Sequence, residues 1–276
     1  MKSLTHVLPI SMTFAAIFLL TGCTKQLDLD KTSGELRHCP IQKMIAMFPG
    51  YPNPLDSFRY EIDFFYNTAG NPDSIAEPSF PYAENFYYFR YDRQNRLTDY
   101  QIASSPIEDP VVWHRYSYPR NGEIVDSQYA YGDTPRSASH PSVSTSEIDV
   151  STYYLDGKGR VVKSTGVNTG TYDYDTDGDL IIPGTTYDSK INPLQTNSVW
   201  MLLSLNYSEH NAVAYNGVPF AVFTYDLYGL PTTRVRQPNA LYYVDGEDFL
   251  EQFDGDNTSI SYGCDLGNRG NEKSNE

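Results

Sequence analysis

Cysteine, histidine and tryptophan are scarce in this chain, and their scarcity excludes several kinds of site. The 276 residues include only 3 Cys, 5 His and 2 Trp. The histidines form no pair four residues apart and no HExxH motif, and no cysteine set accompanies them, so we expect no zinc site. The chain also lacks Gly-x-Ser-x-Gly, Ser-x-x-Lys and glycine-rich phosphate-loop motifs. The sequence therefore predicts no cofactor and no catalytic residue of these types.

Basic residues are few as well. There are 20 Lys and Arg against 35 Asp and Glu, which gives a formal net charge of −15. Such a field repels a phosphate backbone, so nucleic acid is not expected as a partner. Acidic pairs such as Glu108-Asp109 and Glu247-Asp248 have the chemistry for glycoside hydrolysis, but among so many carboxylates their presence decides nothing.

An apolar run, Val7 to Leu20, follows Lys2 and is interrupted by Pro9. It is shorter than the about 20 apolar residues of a membrane-spanning helix. It ends in Leu20-Thr21-Gly22-Cys23, which fits at every position the signal that precedes the acylated cysteine of bacterial lipoproteins. We therefore expect cleavage before Cys23 and lipidation of Cys23; the alternative is an ordinary secretory signal.

These features divide the chain into four parts. We predict a lipoprotein signal peptide at 1–22, a lipid-anchored tether at 23–36, a single domain at 37–266 and a polar tail at 267–276. Two or more acyl chains hold a soluble domain firmly on a bilayer. The expected location is the outer membrane, on its periplasmic face or at the cell surface, with the membrane as a partner through the anchor.

Lipidation of Cys23 leaves two other cysteines, Cys39 and Cys264. An exported chain meets an oxidising compartment, where a remaining pair favours a disulfide. We predict a Cys39–Cys264 bond that ties the first element of the domain to the last. The alternative is two buried thiols that never meet.

Aromatic residues are abundant and alternate in short runs. The chain has 24 Tyr and 13 Phe, and 18 Pro and 19 Gly interrupt it at short intervals. Aromatic and β-branched runs between frequent turns favour an all-β fold. No helical stripe of apolar residues persists beyond about three turns, so little helix is expected. The best helical candidate is Val199 to Leu205.

One phrase recurs along the chain: aromatic-x-Tyr-Asp, a short turn with Gly or Asn, then an apolar residue. The copies are Phe89–Leu97, Tyr153–Val161, Tyr172–Leu180 and Phe223–Pro231, with looser versions at Phe64–Asn71 and Tyr116–Ile124. Asp or Asn at the first turn position accepts hydrogen bonds from the backbone N–H groups two or three residues on, and Gly or Asn later tolerates a positive φ. Each copy therefore predicts a hairpin. Because single hairpins are unstable, we expect an antiparallel meander of about ten to fourteen strands, forming a curled sheet or a partial or closed barrel.

These phrases resemble the YD repeats of RHS and teneurin-type shells. They are still more similar to uncharacterised, lipid-anchored Bacteroidota proteins that carry such phrases on a porin-like barrel or curled sheet. Tyr187–Leu194 matches the Tyr-Asp-x-Lys-x-Asn-Pro-Phe segment of that family, and Ser208–Ala212 matches its Ser-x-x-Asn segment. The resemblance spans residues 58 to 245. It implies a fold and a location in the cell envelope, and it implies no activity because the family has no known activity. A pore is not expected, since alternate strand positions often carry charges, as at Arg90 and Glu61.

Two candidate sites have alternative explanations. Asp173, Asp175 and Asp177, followed by Gly178, have the spacing of half an EF-hand loop, but Gly184 stands where the twelfth-position Glu belongs. We therefore predict no metal ligands, and calcium binding is the alternative to a solvated turn. A sugar-stacking platform that uses Trp113 and Trp200 is weighed against simple packing.

The sequence predicts a lipid-anchored cell-envelope protein without an evident catalytic site, which acts as a surface binding or structural module. Its partner would be a glycan or an envelope protein. The alternatives are a carboxylate-dependent enzyme that acts on glycans and a calcium-dependent adhesin.

Overall fold

A computed structural model describes residues 39–49, 57–77, 85–104, 109–130, 135–139, 146–167, 169–237, 249–250, 253 and 255–264. The signal peptide, Cys23, the tether and the polar tail lie outside these residues and stay predictions. The same holds for Glu108 and for the pair Glu247-Asp248.

Strands dominate the described chain. The first ten are β1 Ile41–Pro49, β2 Ser57–Tyr66, β3 Pro72–Ala76, β4 Phe86–Tyr91, β5 Leu97–Ala103, β6 Val112–Ser117, β7 Glu123–Ala130, β8 Ser146–Leu155, β9 Val161–Gly166 and β10 Gly170–Thr171. Then come β11 Thr185–Ile191, a 3₁₀ helix at Pro193–Thr196, α1 Ser198–Ser204, β12 His210–Tyr215, β13 Val218–Pro219, β14 Ala221–Tyr225, β15 Pro231–Arg236 and β16 Asn257–Tyr262.

Thirteen strands form one open antiparallel sheet in the order β10-β9-β8-β7-β6-β5-β4-β3-β2-β1-β16-β15-β14. From β1 to β10 each strand pairs with the next in sequence, which confirms the predicted all-β meander of hairpins. The last strand, β16, then pairs with the first, with Met44 opposite Ile260. Three further strands form a second sheet in the order β11-β12-β13.

Five short turns lie at the same end of the strands of the main sheet. Short turns join β2 to β3, β4 to β5, β6 to β7, β8 to β9 and β14 to β15, and each falls on a copy of the repeated phrase. These turns, at 67–71, 92–96, 118–122, 156–160 and 226–230, form what we call the turn edge. The copy at 172–180 closes on a single bridge between Tyr174 and Leu180. All six phrases therefore mark a reversal of the chain.

The predicted helical candidate is confirmed as α1. Asn197 caps its start by accepting a hydrogen bond from the Val199 N–H at 2.9 Å. Leu205 ends it in the left-handed conformation with φ of 48°. With 7 residues it is brief, and in the described part of the chain no helix is long and apolar enough to cross a membrane.

α1 packs on one face of the main sheet, which we call the inner face. Trp200 is fully buried there, and its ring centroid lies 5.7 Å from Phe64, 5.8 Å from Phe89 and 5.5 Å from Phe249. Burying an aromatic side chain of this size contributes more than any single surface contact. The aromatic side chains that alternate along the strands thus pack around one short helix.

The opposite, outer face buries the second tryptophan. Trp113 is 3% exposed, and its indole N–H donates to Asp99 at 2.8 Å. Arg90 lies over the ring at 5.2 Å and bonds the carbonyl of Ala138, in the described segment 135–139. Because both tryptophans are buried, a platform built from them is wrong, and the packing alternative is confirmed.

Cys39 and Cys264 are joined by a disulfide. Cys39 precedes β1 and Cys264 follows β16, so the bond lies beside the pairing of the first strand with the last. Buried Ile191 and Leu230 pack around it.

Candidate functional site

Five reversals of the chain, four of them at the turn edge, are each built around one carboxylate or amide. Asp92 Oδ1 accepts hydrogen bonds from the N–H groups of Gln94 at 2.9 Å and Arg96 at 3.0 Å. The same two bonds, to the second and fourth residues onward, occur at Asn67, Asp156, Asp175 and Asp226. The predicted cap is therefore confirmed at these five turns for the bond from the second residue onward, and the other bond comes from the fourth residue and not from the third.

A residue with positive φ completes these turns. Asn95 has φ of 60° and Gly159 has φ of 82°, and in each hairpin the strand register shifts by one residue beside the turn. This combination is a type I turn with a G1 bulge, as the phrase predicts.

The arginine after the turn contacts two phrases at once. Arg96 Nε donates to Asp92 Oδ2 at 2.7 Å, and its guanidinium carbon lies 4.2 Å from the centre of the Tyr118 ring. Arg160 repeats the arrangement, with a 3.0 Å bond to Asp156 and a 4.1 Å approach to the ring of Tyr174. Each arginine joins its own turn to the tyrosine of the next phrase.

In four of the six copies, the tyrosine of the phrase donates its hydroxyl hydrogen to a backbone carbonyl earlier in the chain. Tyr91 bonds the carbonyl of Pro72, the first residue of β3, at 2.6 Å. The same contact, to the first residue of an earlier strand, occurs from Tyr66 to Ile41, Tyr118 to Leu97, Tyr174 to Val161 and Tyr262 to Pro231. Burial raises the pKa of Tyr118 to about 12, so its hydroxyl stays protonated at neutral pH. These bonds fasten successive hairpins together.

A groove of about 570 Å³ lies between the turn edge and α1, and we call it the turn-edge groove. Its polar lining is Arg96, Lys158, Arg160, Gln195, Ser198 and Glu209. Its apolar lining is Leu97, Ile124, Leu155, Val199, Met201 and Leu202. The groove therefore combines fixed hydrogen-bonding groups with an apolar wall.

The charges of this groove are balanced. Arg96 pairs with Asp92 at 2.7 Å and Arg160 pairs with Asp156 at 2.9 Å. Lys158 and Glu209 add one charge of each sign. Gln195 is held in place, since its amide donates to the carbonyls of Tyr207 and Ser208. Donors and acceptors are both presented without a net charge.

A second cavity of about 190 Å³, which we call the inner pocket, lies between the inner face and α1. Leu202 lines both the pocket and the groove. His114 on β6 places Nδ1 at 3.1 Å from both carboxylate oxygens of Asp126 on β7. Asp149 on β8 also lines the pocket.

No sequence motif predicts the two contacts between a histidine and an aspartate. His210 Nδ1 lies 2.8 Å from the buried Asp179, and the partners are 31 residues apart. His114 and Asp126 are 12 residues apart, and a hairpin centred on residue 121 places them nearly opposite on one face. The pairing of His114 with Asp126 can be inferred only after the turn has been assigned, because the two residues do not belong to a motif of adjacent residues.

The candidate calcium residues do not converge. Asp175 is occupied in its turn by the N–H groups of Asp177 and Asp179, both at 2.9 Å. Asp173 contributes its backbone carbonyl to the N–H of Ile181. Throughout the described ranges, no group of three or more His, Cys, Asp or Glu side chains is placed to hold a metal ion.

The described residues define an all-β protein with a large antiparallel meander sheet, whose short turns fall on the repeated phrase. No family model and no curated protein matches the chain. The chain is similar to the crystal structure of a porin-like protein from Bacteroides uniformis, with 8% sequence identity and a TM-score of 0.23. The matched region covers 80% of this chain and 94% of that chain.

Proposed function

We propose that this protein is a lipid-anchored binding protein of the bacterial cell envelope, and that the turn-edge groove is its ligand site. The lipoprotein-type signal that ends in Cys23 supports lipid anchoring in the cell envelope. The groove supports binding, because its volume of about 570 Å³ lies within the common range of ligand pockets, about 300–1,000 Å³.

The ligand class follows from the lining of the groove. Balanced charges disfavour an ion, whereas fixed donors and acceptors beside an apolar wall suit a neutral, hydroxyl-rich molecule. The Arg96 and Arg160 guanidinium groups are already oriented by Asp92 and Asp156, so little side-chain entropy is lost on binding. We therefore propose a neutral saccharide as the ligand.

Binding is preferred to hydrolysis for the groove. Glycoside hydrolysis requires two carboxylates that flank the scissile bond. Glu209 is the one carboxylate among the described residues that line the groove, and the nearby Asp92 and Asp156 are engaged by their turns and arginines. This arrangement supports a non-enzymatic role.

Filling the groove tests the ligand site. Ser198 is exposed at the start of α1 and lines the groove. Ser198→Trp should abolish binding of neutral glycans on an array and in calorimetry, and Ser189→Trp, at an exposed position outside the groove, should leave it unchanged. Absence of glycan binding by the wild type, or full binding by Ser198→Trp, would contradict the proposal.

Replacing the cysteine that would be acylated tests the proposed lipid anchor. Cys23→Ala, or globomycin treatment of the wild type, should leave the precursor uncleaved and without acyl chains, as read by mass spectrometry. Normal processing in either experiment would contradict lipoprotein maturation. A glycan-binding result has no bearing on this readout, so the two parts of the proposal fail separately.

A further inference from the structure

The inner pocket is lined by acidic side chains and by no lysine or arginine among the described residues. Its two carboxylates are those of Asp126 and Asp149. The turn-edge groove, which shares Leu202 with the pocket, balances its three cationic side chains with the carboxylates of Asp92, Asp156 and Glu209 and has no net charge. The negative character of the pocket is therefore a local feature and not a consequence of the net charge of −15 alone.

The two carboxylates differ in their availability. Asp126 is buried and held by His114, whose Nδ1 lies 3.1 Å from both of its oxygens. Asp149 is half-buried, and within the described part of the chain its carboxylate has no hydrogen-bond or ion-pair partner. Gln128, which also lines the pocket, is the cross-strand neighbour of Asp149 on β7. Asp149 is thus the carboxylate that is open to a ligand.

Aromatic rings make up much of the remaining wall. Tyr100, Tyr116, Tyr153 and Phe249 line the pocket, and the Tyr100 and Phe249 rings meet edge to face at 5.7 Å. Burial and the neighbouring Asp126 carboxylate raise the pKa of Tyr116 well above its usual value, consistent with a negative environment. Ring faces carry negative potential and attract cations that are only weakly hydrated.

The occupant that fits these observations is an organic cation. A metal ion requires several converging oxygen or nitrogen ligands, and the described residues contain no such group of three or more His, Cys, Asp or Glu side chains. A volume of about 190 Å³ restricts the ligand to a small molecule. We infer that the inner pocket binds a small organic ammonium ion, with its charge against Asp149 and its carbon groups against the tyrosine and phenylalanine rings.

A pair of ligands of equal shape tests the inference on the unchanged protein. Choline and 3,3-dimethylbutan-1-ol differ in one atom, so only the first carries the positive charge. With full-length protein in a nonionic detergent, calorimetry should show choline binding at least about tenfold tighter than the neutral alcohol. Equal binding of the two, or no choline binding at millimolar concentration, would overturn the inference.

Variants locate the site. Asp149→Asn should weaken choline binding at least about tenfold, whereas Asp177→Asn, at an exposed turn outside the pocket, should not change it. Ser198→Trp should leave choline binding intact, because that residue lines the groove and not the pocket. Unchanged binding by Asp149→Asn, or loss with Ser198→Trp, would overturn the assignment. Near-ultraviolet circular dichroism checks that Asp149→Asn is folded, and the choline–alcohol comparison stands without it.

Discussion

At the scale of single residues, the turn aspartates each make two kinds of contact. One oxygen of Asp156 accepts the N–H groups of Lys158 and Arg160 at 2.8 and 2.9 Å. The other accepts from the Arg160 guanidinium at 3.0 Å. Asn67 makes the same backbone contacts in its own turn but carries no charge. The chain therefore contains a turn that has the cap without the ion pair.

Two substitutions at this position should differ in cost. Asp156→Asn keeps an acceptor for the backbone and loses the ion pair, so we expect a loss of about 0.2–1 kcal/mol in the free energy of unfolding. Asp156→Ala removes the cap as well and should cost about 1–2 kcal/mol. Urea unfolding measures both, with Asp177→Asn as the control. Equal losses for Asn and Ala would show that the cap contributes nothing.

The ion pair also predicts a pH dependence. Burial by itself raises the pKa of Asp156, but hydrogen bonds from the Arg160 backbone and guanidinium outweigh it and hold the pKa below its usual value. A carboxylate with a lowered folded-state pKa stabilises the fold above its unfolded pKa of about 3.9 and loses this effect as the pH falls further. The stability difference between wild type and Asp156→Asn should therefore shrink below about pH 4. A difference that persists unchanged in acid would contradict it.

Single residues were predictable where their partners are local. The cap at Asp92 depends on a segment of five residues, and the sequence predicts it. The contact between His210 and Asp179 depends on the packing of β12 against the copy at 172–180. No local pattern encodes that packing, so the contact was not predicted.

At the scale of the element, the hairpin phrase explains how neighbouring units attach. Its aspartate closes the turn, its arginine lies over the ring of the next tyrosine, and its tyrosine bonds the first residue of an earlier strand. In the copy at 153–161, Leu155 occupies the position of that tyrosine, and the side-chain bond is replaced by packing against the core. The phrase therefore tolerates the loss of one contact.

Removing one tyrosine hydroxyl measures the contribution of this attachment. Tyr91→Phe keeps the ring and deletes the 2.6 Å bond to the Pro72 carbonyl, which leaves a partly buried acceptor without its donor. We expect a loss of about 0.5–1.5 kcal/mol in the free energy of unfolding, measured by urea titration. Tyr88→Phe, on the opposite face of β4, is the control. If both variants lost the same amount, the bond to Pro72 would have no special role.

At the scale of the whole molecule, the strand order of the main sheet departs from a simple meander where β16 pairs with β1. The pairing of β16 with β1 joins residues more than two hundred positions apart, such as Met44 and Ile260. The repeated phrase covers neither strand, and register between distant strands is set by packing and not by a turn. The predicted bond between Cys39 and Cys264 was the one sequence feature that related the two ends.

That disulfide should therefore carry much of the stability of the closure between β1 and β16. It joins residues 225 positions apart, and in the chain-entropy model closing a loop this long contributes about 5 kcal/mol. The double variant Cys39→Ser/Cys264→Ser should lower the urea midpoint by a corresponding amount, and dithiothreitol should lower the wild type to the same value. The reductant should not affect the double variant, which serves as its own control. An unchanged midpoint in the double variant would mean that the β1–β16 ladder and the buried Ile41, Met44 and Ile260 side chains hold the first and last strands together without the bond.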